Sequence, residues 1–106
     1  MSEHMIETVI RKRIEILVDK PLVGRITREI TAAGIKGWTV MPVISGSGRD
    51  GPWHEDRITS SDKAMIITIS SVENALKLAE ALQPILTSHG MLLDMWDVEV
   101  IRAERF

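Results

Sequence analysis

The sequence has no cysteine, which removes disulfide frameworks, thiol nucleophiles and thiolate metal sites together. It also has almost no net charge. Thirteen basic side chains against fifteen acidic ones leave −2, so nothing draws the chain to phosphate backbones or anionic lipid, and nucleic acid is a poor partner. No apolar run reaches the about 18 residues of a membrane span, and no charged-then-apolar leader opens the chain. The expectation is a cytoplasmic protein without membrane insertion. What is present, 106 residues of which 44% are hydrophobic and 26% charged, fits a single globular domain over 1–106, with residues 1–9 expected to be flexible.

Hydrophobic periodicity predicts six main elements. Residues 11–19 alternate, with Ile14, Ile16 and Val18 on one face and Arg13, Glu15 and Leu17 on the other, which predicts a first strand. Pro21 suits a first helical turn, and Leu22, Ile26, Ile30 and Ala33 recur at helical spacing up to Gly34. Residues 37–44 are rich in β-formers, and Pro42, which has no N–H to donate, suggests an edge or a bulge. A further strand follows over 64–69. Ser70 and Glu73 have capping-box spacing, and the stripe Val72, Ala75, Leu76, Ala79, Leu82 predicts a second helix to about Gln83, where Pro84 should kink or end it. Residues 92–101 alternate again. The order βαββαβ predicts an α+β, ferredoxin-like sandwich: a four-stranded antiparallel sheet with two helices on one face. Leu17, Met65, Ile67 and Ile69 place apolar side chains on the other face, which predicts a homo-oligomer.

Between the second and third main strands, residues 45–62 hold three glycines, a proline and six charged residues with no sustained period. That reads as a long flexible loop, and so long a loop in a small domain is uncommon unless it is functional. Within it, Ser45-Gly46-Ser47-Gly48-Arg49 is the candidate anion site. Glycines let successive N–H groups turn toward an anion, and Arg49 can add a bidentate contact to phosphate or carboxylate. The plain alternative is an ordinary turn. His54, Glu55 and Asp56 are adjacent donors, but His4 and His89 lie at no ligand-like spacing, and no metal is assigned. Serines are plentiful, yet none stands in a nucleophile elbow, and no catalytic residue is assigned. Trp38 and Trp96 suit core or interface positions, whereas Trp53 sits in the polar loop, either as an anchor for a partner or a neighbouring subunit or packed onto the body of the domain.

As a whole the chain resembles the PII signalling superfamily. The run Ala33-Gly34-Ile35-Lys36-Gly37-Trp38-Thr39-Val40 is similar to the family's segment from helix one into strand two. Gly46-x-Gly48-Arg49 falls where those proteins begin their T-loop, and Val100-Ile101-Arg102 resembles their closing strand. The resemblance covers 11–105. It implies a trimer with adenine-nucleotide clefts between subunits: Thr39 and the strand around Ile67, Thr68 and Ile69 near the adenine, and Gly46, Ser47, Gly48 and Arg49 near the phosphates. Gly90 would stand in the loop after the second helix, and Arg102 and Arg105 would come from the adjacent subunit. There is no tyrosine for uridylylation, and Asp50 replaces the glutamine that helps hold magnesium and 2-oxoglutarate. A short Thr87-Ser88-His89-Gly90 stands for the triphosphate-gripping loop. These departures favour ADP or AMP over ATP and resemble the carboxysome-associated PII-like (CPII) group, whose members are understood to bind bicarbonate with the nucleotide. The implied function is a non-enzymatic sensor in inorganic carbon metabolism, signalling through its T-loop to a protein partner, with no cofactor beyond these ligands. A trimeric, CutA-like metal-binding protein shares the fold and is the alternative.

Overall fold

The structure is a computed structural model that describes residues 6–48, 51–54 and 63–102. The elements are β1 (Val9–Asp19), a 3-10 turn (Lys20–Leu22), α1 (Val23–Ala32), β2 (Thr39–Val43), β3 (Ser45–Gly48), β4 (Gly51–His54), β5 (Lys63–Ser70), α2 (Val72–His89) and β6 (Leu92–Val100). Four strands form one sheet in the order β2-β5-β1-β6, and every neighbouring pair is antiparallel. Removing β3 and β4 leaves two interleaved β-α-β units, the ferredoxin-like α+β arrangement that the periodicities predict.

The pleat sends alternate side chains to opposite faces. Ile14, Ile16 and Val18 of β1 and Ala64 and Ile66 of β5 point to the helix-bearing face and are buried, as are Ile26 and Ile30 of α1 and Ala75, Leu78, Leu82 and Ile85 of α2. Leu93 and Met95 of β6 pack against this cluster from the far edge. The opposite face carries Leu17, Met65, Ile67 and Ile69, all half-buried, with Leu92 and Trp96 exposed. The Arg13 guanidinium lies over Trp96, 5.8 Å from the ring centre. Arg13 and Trp96 are also register partners, so this contact follows directly from the β1–β6 ladder.

Several boundaries differ from the expectation. β1 starts at Val9, two residues early and inside the segment expected to be flexible, because Val9 and Ile10 pair with Val100 and Glu99. Residues 1–5 lie outside the described residues. Pro21 lies within a 3-10 turn that precedes α1 rather than in the first turn of α1 itself. The N-cap of α2 is Ser71, whose hydroxyl accepts from the Asn74 N–H at 3.2 Å, while Ser70 is the last residue of β5 and its hydroxyl donates to the Ser71 carbonyl. Ser70-x-x-Glu73 is therefore one residue out of step with the cap.

Two corrections are larger. Residues 45–62 are not irregular throughout: β3 and β4 pair as Ser45↔His54, Gly46↔Trp53, Ser47↔Pro52 and Gly48↔Gly51. Glycine, serine and proline carry no apolar alternation, so this hairpin has no pattern for a periodicity to report. Pro84 does not end α2, which runs on to His89. Pro84 denies the Glu80 carbonyl its helical donor, but Ile85 and Leu86 continue the stripe onto the core. Thr87 and Ser88 donate their hydroxyls to the carbonyls of Gln83 (3.3 Å) and Pro84 (3.0 Å). Gly90, with φ 61°, then ends the helix in the left-handed conformation that glycine adopts at least cost.

Because the missing N–H lies in a continuous helix, Pro84→Ala is expected to raise stability, by up to about 3 kcal/mol. Chemical denaturation measures this, and an unchanged or lower midpoint would show that the proline ring packs as well as the restored hydrogen bond would.

Candidate functional site

The residues expected at the nucleotide fall into three places. Thr39 opens β2 and is the register partner of Ile67, so β2 and β5 bring Thr39 beside Ile67–Ile69. The Thr68 side chain faces the helices and is buried, and its hydroxyl donates to the Gly37 carbonyl at 2.5 Å. This bond pins the chain where it enters β2, two residues before Thr39. Ile67 and Ile69 are half-buried on the opposite face.

The second place is the far end of β2. After Ile44, which is 74% exposed, the chain passes directly into β3, so Ser45, Gly46, Ser47 and Gly48 continue along the β2 edge of the molecule. These four residues are extended and paired with β4. In an extended strand successive N–H groups point to alternate sides, so this stretch does not form the concave nest that its glycines suggest. Arg49, Glu55 and Asp56 lie outside the described residues.

Gly90 and Arg102 are elsewhere. Gly90 caps α2 at the end of the sheet where β1 finishes and β6 begins, since Leu92 pairs with Leu17. Arg102 follows β6 at the opposite end and is exposed. It is not level with Thr39: Thr39 pairs with Ile67, which stands opposite Glu15 and so level with Asp94, whereas Val100 stands opposite Val9, about 20 Å further along the sheet. Moreover, β2 and β6 are the two outer strands. Three interstrand steps separate them, about 14 Å. Arg105 lies outside the described residues.

The residue reading missed an ion pair. Lys63 Nζ contacts Asp19 Oδ1 at 2.6 Å, with both side chains partly exposed. The two are cross-strand partners at the last rung of the β1–β5 ladder, where β5 begins. Aligning the two alternating strands by their buried positions would have paired them. Also missed was the contact of Ser88 Oγ with His89 Nδ1 at 2.8 Å in the last turn of α2, beside Gly90. Among the described residues, no three His, Cys, Asp or Glu side chains cluster as a metal site. No described helix is long and apolar enough to cross a membrane.

This geometry belongs to a known family. The sequence profile of the nitrogen regulatory protein P-II family matches residues 11–105, and the chain is a member of that family. It is similar in structure to CPII, a nitrogen regulatory PII-like protein from Thiomonas intermedia whose structure holds ADP, AMP and bicarbonate. The TM-score is 0.88 at 26% identity, covering 95% of this chain and 97% of that one. A PII-like signalling protein of Thermus thermophilus is similar at TM-score 0.81 and 24% identity, over 95% of this chain and 99% of that one. CutA from Synechococcus elongatus gives TM-score 0.62 at 12% identity, over 91% of this chain and 86% of that one, a likeness of fold alone. Among curated proteins none matches the sequence significantly.

The Thr68 hydroxyl holds the entrance to β2, so Thr68→Val should cost about 1–3 kcal/mol, the penalty for leaving the Gly37 carbonyl without its donor. Urea denaturation measures the loss, and a midpoint equal to that of the parent chain would show that the bond contributes nothing.

Proposed function

We propose that the chain is a non-catalytic sensor of ADP or AMP, assembled as a homotrimer and working in the cytoplasm. The nucleotide sits in clefts between subunits, with Thr39, Ile67, Thr68 and Ile69 on the adenine side. Gly46, Ser47, Gly48, Arg49 and Gly90 stand toward the phosphates, and Arg102 and Arg105 arrive from the next copy. Bicarbonate is the second ligand, met at residues 45–49 by the Arg49 guanidinium rather than by a preformed backbone nest. The occupied site biases the conformation of residues 45–62, which act as the T-loop that meets a protein partner in inorganic carbon metabolism.

The observation that carries this reading is the likeness, over nearly the full length of both chains, to a PII-like protein bound to ADP, AMP and bicarbonate. The split of the site supports it. Thr39 and Arg102 lie far apart on opposite edges of one chain's sheet, and a second copy is the direct way to bring such groups together. The hairpin supports the signalling step. A two-stranded hairpin is marginal by itself, so a ligand that contacts one loop state better than another can shift it at small cost.

Titration calorimetry with ADP, AMP and ATP, with and without bicarbonate, is the test. ADP or AMP should bind more tightly than ATP. Arg102→Ala should weaken nucleotide binding. Arg49→Ala should weaken bicarbonate or phosphate binding at least about tenfold, as the loss of one or two charge-assisted hydrogen bonds implies. Its melting without ligand should stay within about 0.5 kcal/mol of the parent chain. Absence of nucleotide heat together with tight copper binding would instead support the CutA-like alternative.

A further inference from the structure

The outer side of α1 carries two arginines. Ile26 and Ile30 are buried against the sheet, and Arg28 lies two residues from each, about 200° of helical rotation away, so it faces out of the molecule. Arg25, three residues earlier, is about 60° round on the same side, and both are exposed. The Arg28 guanidinium reaches back along the helix, with Nη1 3.5 Å from where a Cβ on Gly24 would stand. Arg28 therefore brings its charge to the turn that carries Arg25, and Lys20 is exposed just ahead of that turn.

Nothing inside the chain uses this charge. The ion pairs of the described residues join Lys12 to Asp97, Lys63 to Asp19 and Lys77 to Glu73, and none takes Arg25 or Arg28. The helix does not use it either. Arg25 stands in the first turn, where the peptide dipoles disfavour a cation, and α1 has no acidic residue in its first turn and no basic one in its last. Gly24 is likewise not demanded by the chain itself. It has no positive φ, and an added methyl would meet Arg28 only at ordinary contact distance, yet glycine is a poorer helix former than alanine. Its effect is to keep the surface beside the arginines flat.

We infer that this face is a docking surface for an acidic segment of another protein, whose carboxylates pair with Arg25 and Arg28. A guanidinium takes a carboxylate through two parallel hydrogen bonds, and arginine clusters are a recurring way to recognise acidic motifs. Other anionic partners fit less well. The chain's net charge is −2, so the attraction is local, and the rest of the molecule lends no field that would gather nucleic acid or an anionic membrane. A membrane would also need apolar side chains to enter it, and Gly24, Arg25, Arg28, Thr31 and Ala32 offer none larger than alanine. The face lies on the helix layer, apart from the strands and loop proposed to hold the nucleotide, and does not rest on that reading.

Fluorescence anisotropy tests the surface on the full chain, with a labelled helical peptide of alanine and glutamate, its glutamates on one face, at low salt. Arg28→Glu should weaken binding at least about tenfold, the loss of one charge-assisted pair. Lys77→Glu makes the same change of net charge on the other helix and should leave binding within about twofold. Gly24→Leu adds bulk without charge and should weaken binding as well, because the partner has to seat on that turn. Arg28 is exposed and unpaired, so melting and ADP titration of Arg28→Glu should match the parent chain. If that variant disturbs folding, Arg25→Glu replaces it. A parent chain that ignores the peptide, equal losses from Arg28→Glu and Lys77→Glu, or full binding by Gly24→Leu each overturns the proposal. Binding to phosphatidylglycerol vesicles or duplex DNA in place of the peptide overturns the class of partner. An Arg28→Glu variant whose sedimentation changes while its peptide binding does not would make the face a contact between copies, and would also overturn it.

Discussion

Ile14, Ile16 and Val18 on β1 are sealed from solvent by β5 and β6 at their sides and by both helices above, and the rest of the molecule is arranged around that burial. Because β1 is central, its register fixes where both neighbours end. β5 finishes level with Lys12, β6 finishes at Val9, and β2 is placed through β5. The pleat that buries the isoleucines necessarily turns Arg13, Glu15 and Leu17 to the other face. The same alternation that makes the core therefore also makes a second, half-apolar face that one chain leaves uncovered. A shift of one residue in this ladder would exchange the two faces, at the cost of the whole core.

Sequence pattern exposed the core because burial there is one-sided and regular. The three buried positions of β1, the Ile26–Ile30 pair of α1 and the stripe of α2 are all visible as periods. The hairpin was not visible, because Gly46, Gly48 and Gly51 leave no apolar side chain whose alternation could be counted. The extension of α2 past Pro84 was missed for a different reason: local propensity argued for a stop, and the burial of Ile85 overrode it. For the site, Thr39 beside Ile67 was legible through resemblance, and the pairing of β2 with β5 gives the physical cause. The ion pair of Asp19 with Lys63 was not legible without register, since the two residues are far apart in sequence and each alone is an ordinary surface charge.

The functional account turns on a topological fact. In a four-stranded sheet of this order, the first residue of β2 and the residues after β6 lie on opposite edges and at different heights, so one chain cannot bring them together. Family membership supplies the class of protein, and this arrangement supplies a reason for the site to be shared between copies. The β3–β4 hairpin continues from β2, so the segment proposed to signal is covalently the extension of the strand proposed to hold the adenine. Ligand contact at one end of that strand and loop order at the other are then separated only by Val40–Ile44.

Subunit complementation tests the shared site most directly. Thr39→Tyr should block one half of the cleft and Arg102→Ala should disable the other, so each variant alone should bind ADP poorly. When the two are mixed at equal amounts and allowed to exchange, each interface draws its halves at random. About one quarter of the clefts then combine an intact Thr39 side with an intact Arg102 side. The account predicts that ADP titration of the exchanged mixture recovers close to that fraction of parental sites at parental affinity. A mixture that binds no better than its two components would show that Thr39 and Arg102 do not meet across subunits, and would contradict the account.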